Sequence, residues 1–381
     1  MKIAVLGCGT VGGGVISMLR QAKQLSLGAV LVREGKQKAS FHVTDICSIT
    51  EDPETDTVVE VMGGIHPAYE YVHAALSAGK HVVTANKALV AEKGPELAAL
   101  AREHRVGFLF TAACGGGVPF LHNLALSRSS DSILTVGGIL NGTTNYILDA
   151  MQTRGADYAE ALSDAQALGY AEADPTADVS GLDALRKIML ACGVAFDALP
   201  TEGLLYEGIT RLTAQDVRDF SSKKLVCRLL ARAGQTEDGI YAFVEPTLLS
   251  AGAPEASVRD NYNLARYEAE YAGDIVLIGQ GAGRYPTASA VLRDLEALRE
   301  GQREMFSAAC KPIAAKNELC VHSYYFRLPE ALSADLPVRK AVSLNGITRV
   351  ITQPISVAQA HALASSLRAH DASVFFAGME D

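Results

Sequence analysis

The stretch KIAVLGCGTVG, Lys2–Gly12, decides the fold. Its aliphatic first half predicts a buried strand, and its glycines have G-x-G-x-x-G spacing. Such glycines permit a tight turn, a close backbone approach to a pyrophosphate and close packing of the following helix, whose N-terminus would face the anion. The alternative is a glycine-rich turn with no ligand. The residues predicted to surround a dinucleotide are Gly7, Gly9, Thr10, Val11 and Gly12.

Short apolar runs alternate with helical patterns from residue 1 to about 130. This alternation predicts an α/β fold with a doubly wound parallel sheet of the Rossmann type. The predicted strands are Lys2–Leu6, Gly28–Val32, Thr57–Met62, His81–Thr84 and Gly107–Phe110, and the predicted helices are Val11–Gln21, Pro67–Ala78 and Pro95–His104.

Charged residues follow the second strand, where an acidic side chain would hold the ribose 2′-hydroxyl of NAD. Arg33 comes first and suits the 2′-phosphate of NADP, whereas Glu34 suits NAD. Lys36 and Lys38 fit a solvated charge run equally well. We expect NADP to be favoured, with NAD possible.

The composition excludes several classes of protein. A net charge of −9 and a pI near 5.5 argue against nucleic-acid binding, which needs a concentrated basic face. The sequence has no apolar run of roughly 18 residues, the length of a membrane span. Its seven cysteines are scattered without metal-type spacing, which predicts free thiols and a cytoplasmic protein.

A change in pattern near residue 130 predicts further domains. We expect a dinucleotide-binding domain over residues 1–130, rejoined by about 279–318, and an inserted α/β substrate-binding and dimerisation domain over 131–278. A small α+β segment should occupy 320–381.

Several motifs, in order, resemble those of homoserine dehydrogenase. They are Val83–Lys87, Gly138–Tyr146, Leu168–Pro175, Asp178–Lys187, Gly279–Gly283 and Pro286–Val291. The resemblance implies a nicotinamide-dependent oxidoreductase that interconverts L-homoserine and L-aspartate 4-semialdehyde in threonine, methionine and isoleucine biosynthesis. It also implies a homodimer or higher homo-oligomer. No kinase-like sequence precedes residue 1, so we expect a single-function enzyme.

Asp183 and Lys187 are four residues apart on a predicted helix, so they project from one face. Alternatively, Asp183 caps the helix with Ser180, or the pair is a surface ion pair of little energetic value. Function is favoured because Lys87 and Glu172 come from separate segments of the same family pattern.

Aldehyde reduction needs a proton for the developing alkoxide, and an ammonium group can stabilise that charge and donate the proton. The pKa of a free lysine is about 10.4, so we expect burial or another cation to lower that of the donor. By resemblance, Lys187 is the acid/base, Lys87 lies by the nicotinamide, and Glu172 with Asp183 binds the substrate ammonium.

The resemblance also assigns residues around the substrate and cofactor. Tyr170 fits core packing as well as substrate contact. Gly142 and Thr143 begin a helix, where a ligand's anionic or polar group could bind. The matched cofactor positions are Thr84, Lys87, Gly169 and Gly281.

One position departs from the family pattern. Thr111 replaces the glutamate that usually helps to fix a structural monovalent cation such as sodium. The remaining ligands would be the main-chain carbonyls of Cys114, Gly116 and Val118. The substitution puts this cation site in doubt.

The C-terminal segment resembles a trimmed ACT domain, whose usual order is β-α-β-β-α-β. We expect a strand at Tyr324–Leu328, a helix at Arg339–Asn345, a strand at Thr348–Thr352 and a helix at Pro354–His370, with one strand missing. The usual glycine turn is replaced by residues 334–339, which include Pro337. We therefore expect a role in packing or assembly rather than amino-acid sensing.

Two other functions remain open. One is a related amino-acid semialdehyde dehydrogenase, because a fold does not fix its substrate. The other is a non-catalytic, cofactor-binding regulatory protein, against which the intact set of Lys87, Glu172, Asp183 and Lys187 argues.

Overall fold

A computed structural model describes residues 1–380 of the chain. The chain divides into two compact units. Unit 1 comprises Met1–Ile133, Met189–Leu199 and Gly279–Pro312, and unit 2 comprises Leu134–Ile188, Pro200–Ile278 and the residues from Ile313 onwards. None of the helices in the described range is both long and apolar enough to cross a membrane.

Strands and helices are numbered in chain order. The strands are β1 (Lys2–Leu6), β2 (Ser26–Leu31), β3 (His42–Val43), β4 (Thr57–Glu60), β5 (His81–Thr84), β6 (Phe108–Leu109), β7 (Ile133–Ile139), β8 (Ala198–Glu202), β9 (Leu205–Tyr206), β10 (Leu225–Thr236), β11 (Gly239–Ser250), β12 (Tyr262–Ala269), β13 (Gly273–Gln280), β14 (Lys311–Ala314), β15 (Val321–Pro329), β16 (Val338–Leu344), β17 (Ile347–Thr352), β18 (Ile355–Ser356) and β19 (Phe375–Met379). The α-helices are α1 (Thr10–Leu19), α2 (Cys47–Thr50), α3 (Ala68–Ser77), α4 (Lys87–Glu103), α5 (Phe120–Ser127), α6 (Gly142–Arg154), α7 (Tyr158–Ala167), α8 (Thr176–Val179), α9 (Leu182–Phe196), α10 (Ala214–Ser222), α11 (Arg284–Arg299) and α12 (Val357–Arg368).

Unit 1 contains a six-stranded parallel sheet in the order β3-β2-β1-β4-β5-β6. The strand order reverses beside β1, which is the place where doubly wound sheets bind dinucleotides. Residues Ile3–Leu6 of β1 are fully buried, as expected for a central strand covered on both faces. The predicted α/β fold with a doubly wound parallel sheet is confirmed, although α4 begins at Lys87 rather than at Pro95.

Unit 2 is built on a larger mixed sheet, in the order β13-β12-β7-β10-β11-β19-β15-β17-β16. Its longest pairing joins β10 and β11 in an antiparallel ladder from Leu225↔Ser250 to Thr236↔Gly239. The Asn141 side chain caps α6, which follows directly from the end of β7. The end of β7 and the start of α6 therefore lie beside each other in the chain, at the place where the candidate substrate residues cluster.

The C-terminal segment differs from the sequence-based expectation. Its strands have the order β19-β15-β17-β16, and α12 lies between β18 and β19 in the chain. The helix that we expected at Arg339–Asn345 is wrong, because Val338–Leu344 forms the edge strand β16. The expected loss of a strand is also wrong. The first helix of the β-α-β-β-α-β order is the shortened element, reduced to a 3-10 turn at Glu330–Asp335.

A tight turn explains this correction. Asn345 and Gly346 connect β16 to β17, and both have positive φ values, 52° and 75°. Asn-Gly is the preferred pair for a two-residue hairpin turn, in which both central residues adopt positive φ. The turn therefore favours a hairpin over a helix ending at Asn345.

A buried carboxylate connects the C-terminal segment to β11, which also pairs in parallel with β19. Glu245 of β11 is fully buried, with Oε1 3.0 Å from His322 Nε2 and Oε2 3.2 Å from His361 Nε2. Burial alone would raise the pKa of Glu245, but the hydrogen bonds from the two histidines outweigh burial and lower the pKa to about 2. The Glu245 carboxylate is therefore a strong tie between β11, β15 and α12.

Replacing Glu245 with glutamine should lower the free energy of unfolding by about 3 kcal/mol, the equivalent of the lowered pKa. Because the pKa is lower in the folded chain, this stabilisation is full above about pH 4.5 and is lost as the pH falls towards 2. Urea denaturation at several pH values measures the effect. Glu237→Gln, at an exposed position, is the control, and equal stability of the two variants at pH 5 would contradict the assignment.

Candidate active site

The glycine-rich turn after β1 has the geometry expected of a nucleotide-binding loop. Gly7 has a φ of 102°, and its N–H donates a hydrogen bond to the Leu31 carbonyl at 3.1 Å. A Cβ on Gly12 would lie 2.1 Å from the Gly7 carbonyl oxygen, so only glycine permits this approach of α1 to the turn. Gly9 precedes α1 and provides no side-chain cap, which leaves the helix N-terminus to an anion.

A cavity of about 770 Å³ opens beside this turn. Arg33 and Glu34 follow β2, Lys36 and Lys38 add positive charge, and His42 also lines the cavity. The remaining lining residues are Gly7, Cys8, Gly9, Leu31, Val32, Thr44, Val61, Met62, Gly63, His66, Pro67 and Tyr71. The cavity thus combines the glycine turn with a rim that carries basic residues and the acidic Glu34.

Thr84 and Lys87 lie at the end of β5 and the start of α4. The Thr84 hydroxyl is buried and donates to Glu60 Oε2 at 2.5 Å, and burial raises the pKa of Glu60. Asn86 caps α4 by accepting a hydrogen bond from the Leu89 N–H at 3.2 Å. Thr84 therefore fixes the turn from which the half-buried Lys87 projects, and its contact with a cofactor stays a prediction.

Asp183 and Lys187 form an ion pair in unit 2, with Asp183 Oδ2 2.8 Å from Lys187 Nζ. The two residues are 5% and 7% exposed, so the alternative of a surface pair is wrong. Lys187 Nζ also donates to the Leu140 carbonyl at 2.6 Å. The Leu182 N–H lies 3.4 Å from Ser180 Oγ, and the capping alternative for Asp183 stays a prediction.

Two residues that the sequence analysis did not single out belong to the same cluster. Asn141 Nδ2 donates to Asp178 Oδ1 at 2.7 Å and to Asp183 Oδ2 at 2.8 Å. Burial, followed by the neighbouring Asp183 charge, raises the pKa of Asp178. The only sequence signal was membership of the matched motifs, because Asn141 is 37 residues from Asp178.

The predicted substrate residues differ in how they contact this cluster. Thr143, in the first turn of α6, donates through its hydroxyl to the Tyr170 carbonyl at 2.6 Å and lies 3.3 Å from Asp178 Oδ2. Gly142 begins α6 beside them. Glu172 lies on the exposed loop between α7 and α8, where its carbonyl accepts from Gln166 Nε2 at 3.2 Å. The structure therefore joins Thr143 to the cluster directly and Tyr170 to it through the Thr143 hydroxyl.

The last two predicted cofactor residues are glycines in different surroundings. Gly281 is buried in unit 1, and a Cβ on Gly116 would lie 2.6 Å from its carbonyl carbon. Gly169 follows α7 in unit 2 with a φ of 76°. The role of each toward the cofactor stays a prediction.

Comparisons with known proteins agree with this geometry. A family model for homoserine dehydrogenase matches residues 119–295, and a model for its NAD-binding domain matches residues 7–111. The homoserine dehydrogenase of Synechocystis sp. is 40% identical over 77% of this chain and 72% of its own, and that of Mycobacterium tuberculosis strain H37Rv is 39% identical over 90% and 80%. The crystal structure of a homoserine dehydrogenase from Thiobacillus denitrificans superposes with a TM-score of 0.90, at 31% identity over 100% of this chain and 98% of that one.

The chain belongs to the homoserine dehydrogenase family. It is an NAD(P)-dependent oxidoreductase of amino-acid biosynthesis, as the sequence motifs predicted.

Thr111, at the position expected to depart from the family pattern, is hydrogen-bonded to a buried acid. Its main-chain N–H donates to Asp294 Oδ2 at 2.9 Å and its hydroxyl to Asp294 Oδ1 at 2.5 Å. Burial raises the pKa of Asp294 to about 7, although the two Thr111 donors and Arg293 oppose the rise. A glutamate at position 111 would bring a second carboxyl group to this acid.

Thr111→Val should destabilise the folded chain more at about pH 8 than at about pH 5, because the hydroxyl donor stabilises the ionised form of Asp294 more than the protonated form. The pKa of Asp294 is raised in the folded chain, so its ionisation costs stability as the pH rises from about 4 to about 7. Above that pH range, the free energy of unfolding of Thr111→Val should be lower by a further 1–2 kcal/mol, as a rough estimate.

Thermal and urea denaturation at the two pH values measure this difference. In an Asp294→Asn background the same Thr111→Val change should have no pH dependence. A pH-dependent loss that persists in that background would rule out Asp294 as its source.

Proposed function

We propose that this chain catalyses the interconversion of L-homoserine and L-aspartate 4-semialdehyde with Lys187 as its proton-transfer residue. The observation that carries the proposal is the buried Asp183–Lys187 pair, in which the ammonium is held by a carboxylate and by the Leu140 carbonyl. A homoserine oxidation assay with both NADP and NAD tests the activity itself.

The lysine performs a single proton transfer in each direction. When bound, a nicotinamide cofactor would supply the hydride acceptor or donor for the substrate carbon. In reduction, Lys187 Nζ stabilises the developing alkoxide and gives it a proton; in oxidation, it takes the hydroxyl proton. Asp183 keeps Nζ in one orientation, which fixes the geometry of the proton transfer.

The substrate amino group requires carboxylate acceptors. We assign Glu172 and Asp183 to this ammonium, with Gly142, Thr143 and Tyr170 beside them. The hydrogen bond from Thr143 to the Tyr170 carbonyl supports the last three, because it holds the start of α6 against the loop after α7. Asp178, which lies 3.3 Å from the same hydroxyl, adds negative charge to the site.

The cofactor assignment rests on the glycine turn and on the basic rim of its cavity. Gly7, Gly9, Thr10, Val11 and Gly12 would hold the pyrophosphate, and Arg33 would hold a 2′-phosphate, so NADP is favoured over NAD. A hyperthermophilic archaeal homoserine dehydrogenase, 23% identical to this chain, was solved in complex with NADPH. We assign Thr84, Lys87, Gly169 and Gly281 to the remainder of the cofactor.

The monovalent cation implied by the resemblance fits this chain poorly. Both donors of Thr111 are directed to Asp294, and the Val118 carbonyl already accepts from the Phe120 N–H at 2.8 Å. Carbonyls of Cys114, Gly116 and Val118 without an anionic ligand would bind sodium weakly.

We also propose a cytoplasmic homodimer that binds neither nucleic acid nor membrane. Edge strand β13 exposes Val276 and Ile278, and exposed apolar residues on a sheet edge are typical of a surface covered by another chain. None of the seven cysteines forms a disulfide in the described range, which fits a reducing compartment.

Lys187→Met should lower kcat by roughly 100- to 10,000-fold, the usual value of acid–base catalysis, while leaving NADP binding intact. Methionine keeps most of the buried volume but provides no proton. Steady-state kinetics with homoserine and a fluorescence titration of NADPH measure the two effects. Arg186→Met, one residue earlier on α9 and half-buried, should retain activity. Wild-type turnover by folded Lys187→Met would disprove the assignment.

Arg33→Ala should weaken NADP binding at least about 10-fold more than NAD binding, because only NADP carries the 2′-phosphate that a guanidinium clamps. Glu34→Gln should have the opposite preference, since a carboxylate accepts from the ribose hydroxyl of NAD. Dissociation constants of both variants for both cofactors are needed. Equal losses of affinity for NADP and NAD in Arg33→Ala would show that Arg33 does not recognise the 2′-phosphate.

A further inference from the structure

Asn141 is a buried residue whose carboxamide makes four hydrogen bonds at the candidate site. Its Oδ1 accepts from the Thr144 N–H at 2.8 Å and from Thr144 Oγ1 at 3.0 Å, which caps α6. Its Nδ2 donates to Asp178 and to Asp183. An amide has two N–H donors and two acceptor lone pairs, so all of its hydrogen-bonding capacity is used.

The two hydrogen bonds that the Asn141 amide donates lie between two neighbouring carboxylates. Asp178 and Asp183 lie close enough for the charge of Asp183 to raise the pKa of Asp178. The charged groups around the Asn141 amide are Asp178 from α8 together with Asp183 and Lys187 from α9. Lys187 is paired with Asp183, and a neutral double donor between the two acids reduces their repulsion without competing for this lysine.

The same residue connects the acids to the lysine in a second way. Leu140, its neighbour in the chain, accepts the hydrogen bond from Lys187 Nζ. The peptide that ends β7 therefore holds the ammonium with a carbonyl, and the next side chain holds the partner carboxylate. Displacement of this turn would move Lys187 and Asp183 together.

We propose that Asn141 is a positioning residue, whose amide holds Asp183 on Lys187 and leaves Asp178 available to the substrate ammonium. Asn141 touches neither substrate nor cofactor in this role and acts through the two carboxylates. The proposal rests on the proposed function of Lys187.

Two substitutions separate this role from simple capping of α6. Serine and aspartate both cap helices well, so Asn141→Ser and Asn141→Asp keep the cap and lose the amide donors. Asn141→Ser should lower kcat by about 10- to 100-fold, the range expected when a catalytic group is misplaced. The dissociation constant for NADPH should be unchanged, which reports that unit 1 has kept its fold.

Asn141→Asp provides a readout that a structural role would not change. An ionised aspartate adds a third carboxylate, whereas a protonated one again donates a hydrogen bond to a neighbour. The ratio of wild-type to variant kcat should therefore fall by at least about 5-fold between pH 9 and pH 6. Ser356→Ala, which removes the cap of α12, should lower the Tm but leave the pH profile unchanged.

A double variant distinguishes failure of this proposal from failure of the proposed function. If Asn141 acts through Lys187, Asn141→Ser should cost less than about 3-fold in a Lys187→Met background, because coupled residues are not additive. Wild-type turnover by Lys187→Met would disprove the proposed function. An inactive Lys187→Met, combined with a normal kcat and pH profile in both Asn141 variants, would overturn only the positioning role. If Asn141→Ser does not fold, the pH profile of Asn141→Asp decides.

Discussion

The buried pair of Asp183 and Lys187 is the interaction on which the site depends. Removing two charges from water costs several kcal/mol for each ion, and their mutual attraction repays the cost only when other hydrogen bonds complete the arrangement. Here the Leu140 carbonyl and the Asn141 amide provide those bonds. The end of β7, the start of α6 and the first turn of α9 must therefore hold their relative positions, or an uncompensated charge is left in the interior.

This constraint also accounts for the small residues around the turn. A Cβ on Gly142 would lie 2.5 Å from the Asn261 carbonyl oxygen, and one on Gly138 would lie 2.1 Å from the Leu264 carbonyl oxygen. Both glycines allow backbone to pack directly on backbone, which brings the end of β7 into close contact with β12 and the residue before it. The charged pair is thus supported by a rigid frame rather than by flexible side chains.

Local pattern was sufficient to predict β1 and its glycine turn, because the strand, the turn and the following helix are contiguous in sequence. It also placed Asp183 and Lys187 on one helical face, since four-residue spacing has a fixed geometric meaning. It could not reveal Asn141 or Asp178, whose contact depends on how β7 and α8 pack in the folded unit. The helix expected at Arg339–Asn345 does not form, because Asn345 and Gly346 are a local hairpin signal that overrides the order implied by the family resemblance. The bond between Thr111 and Asp294 joins positions 183 residues apart and had no signal in a single sequence.

The continuity of the unit 2 sheet has a consequence for how this chain could be shortened. Because β19 pairs with β11, the C-terminal strands cover what would otherwise be an unpaired edge in the middle of that sheet. A chain that stopped before β15 would expose this edge and leave Glu245 buried without either histidine. Unprotected edges recruit other strands, so such a chain would be expected to aggregate. Trimming the tail therefore differs from removing a separate regulatory module: here the C-terminus acts as the sheet's own protection against self-association.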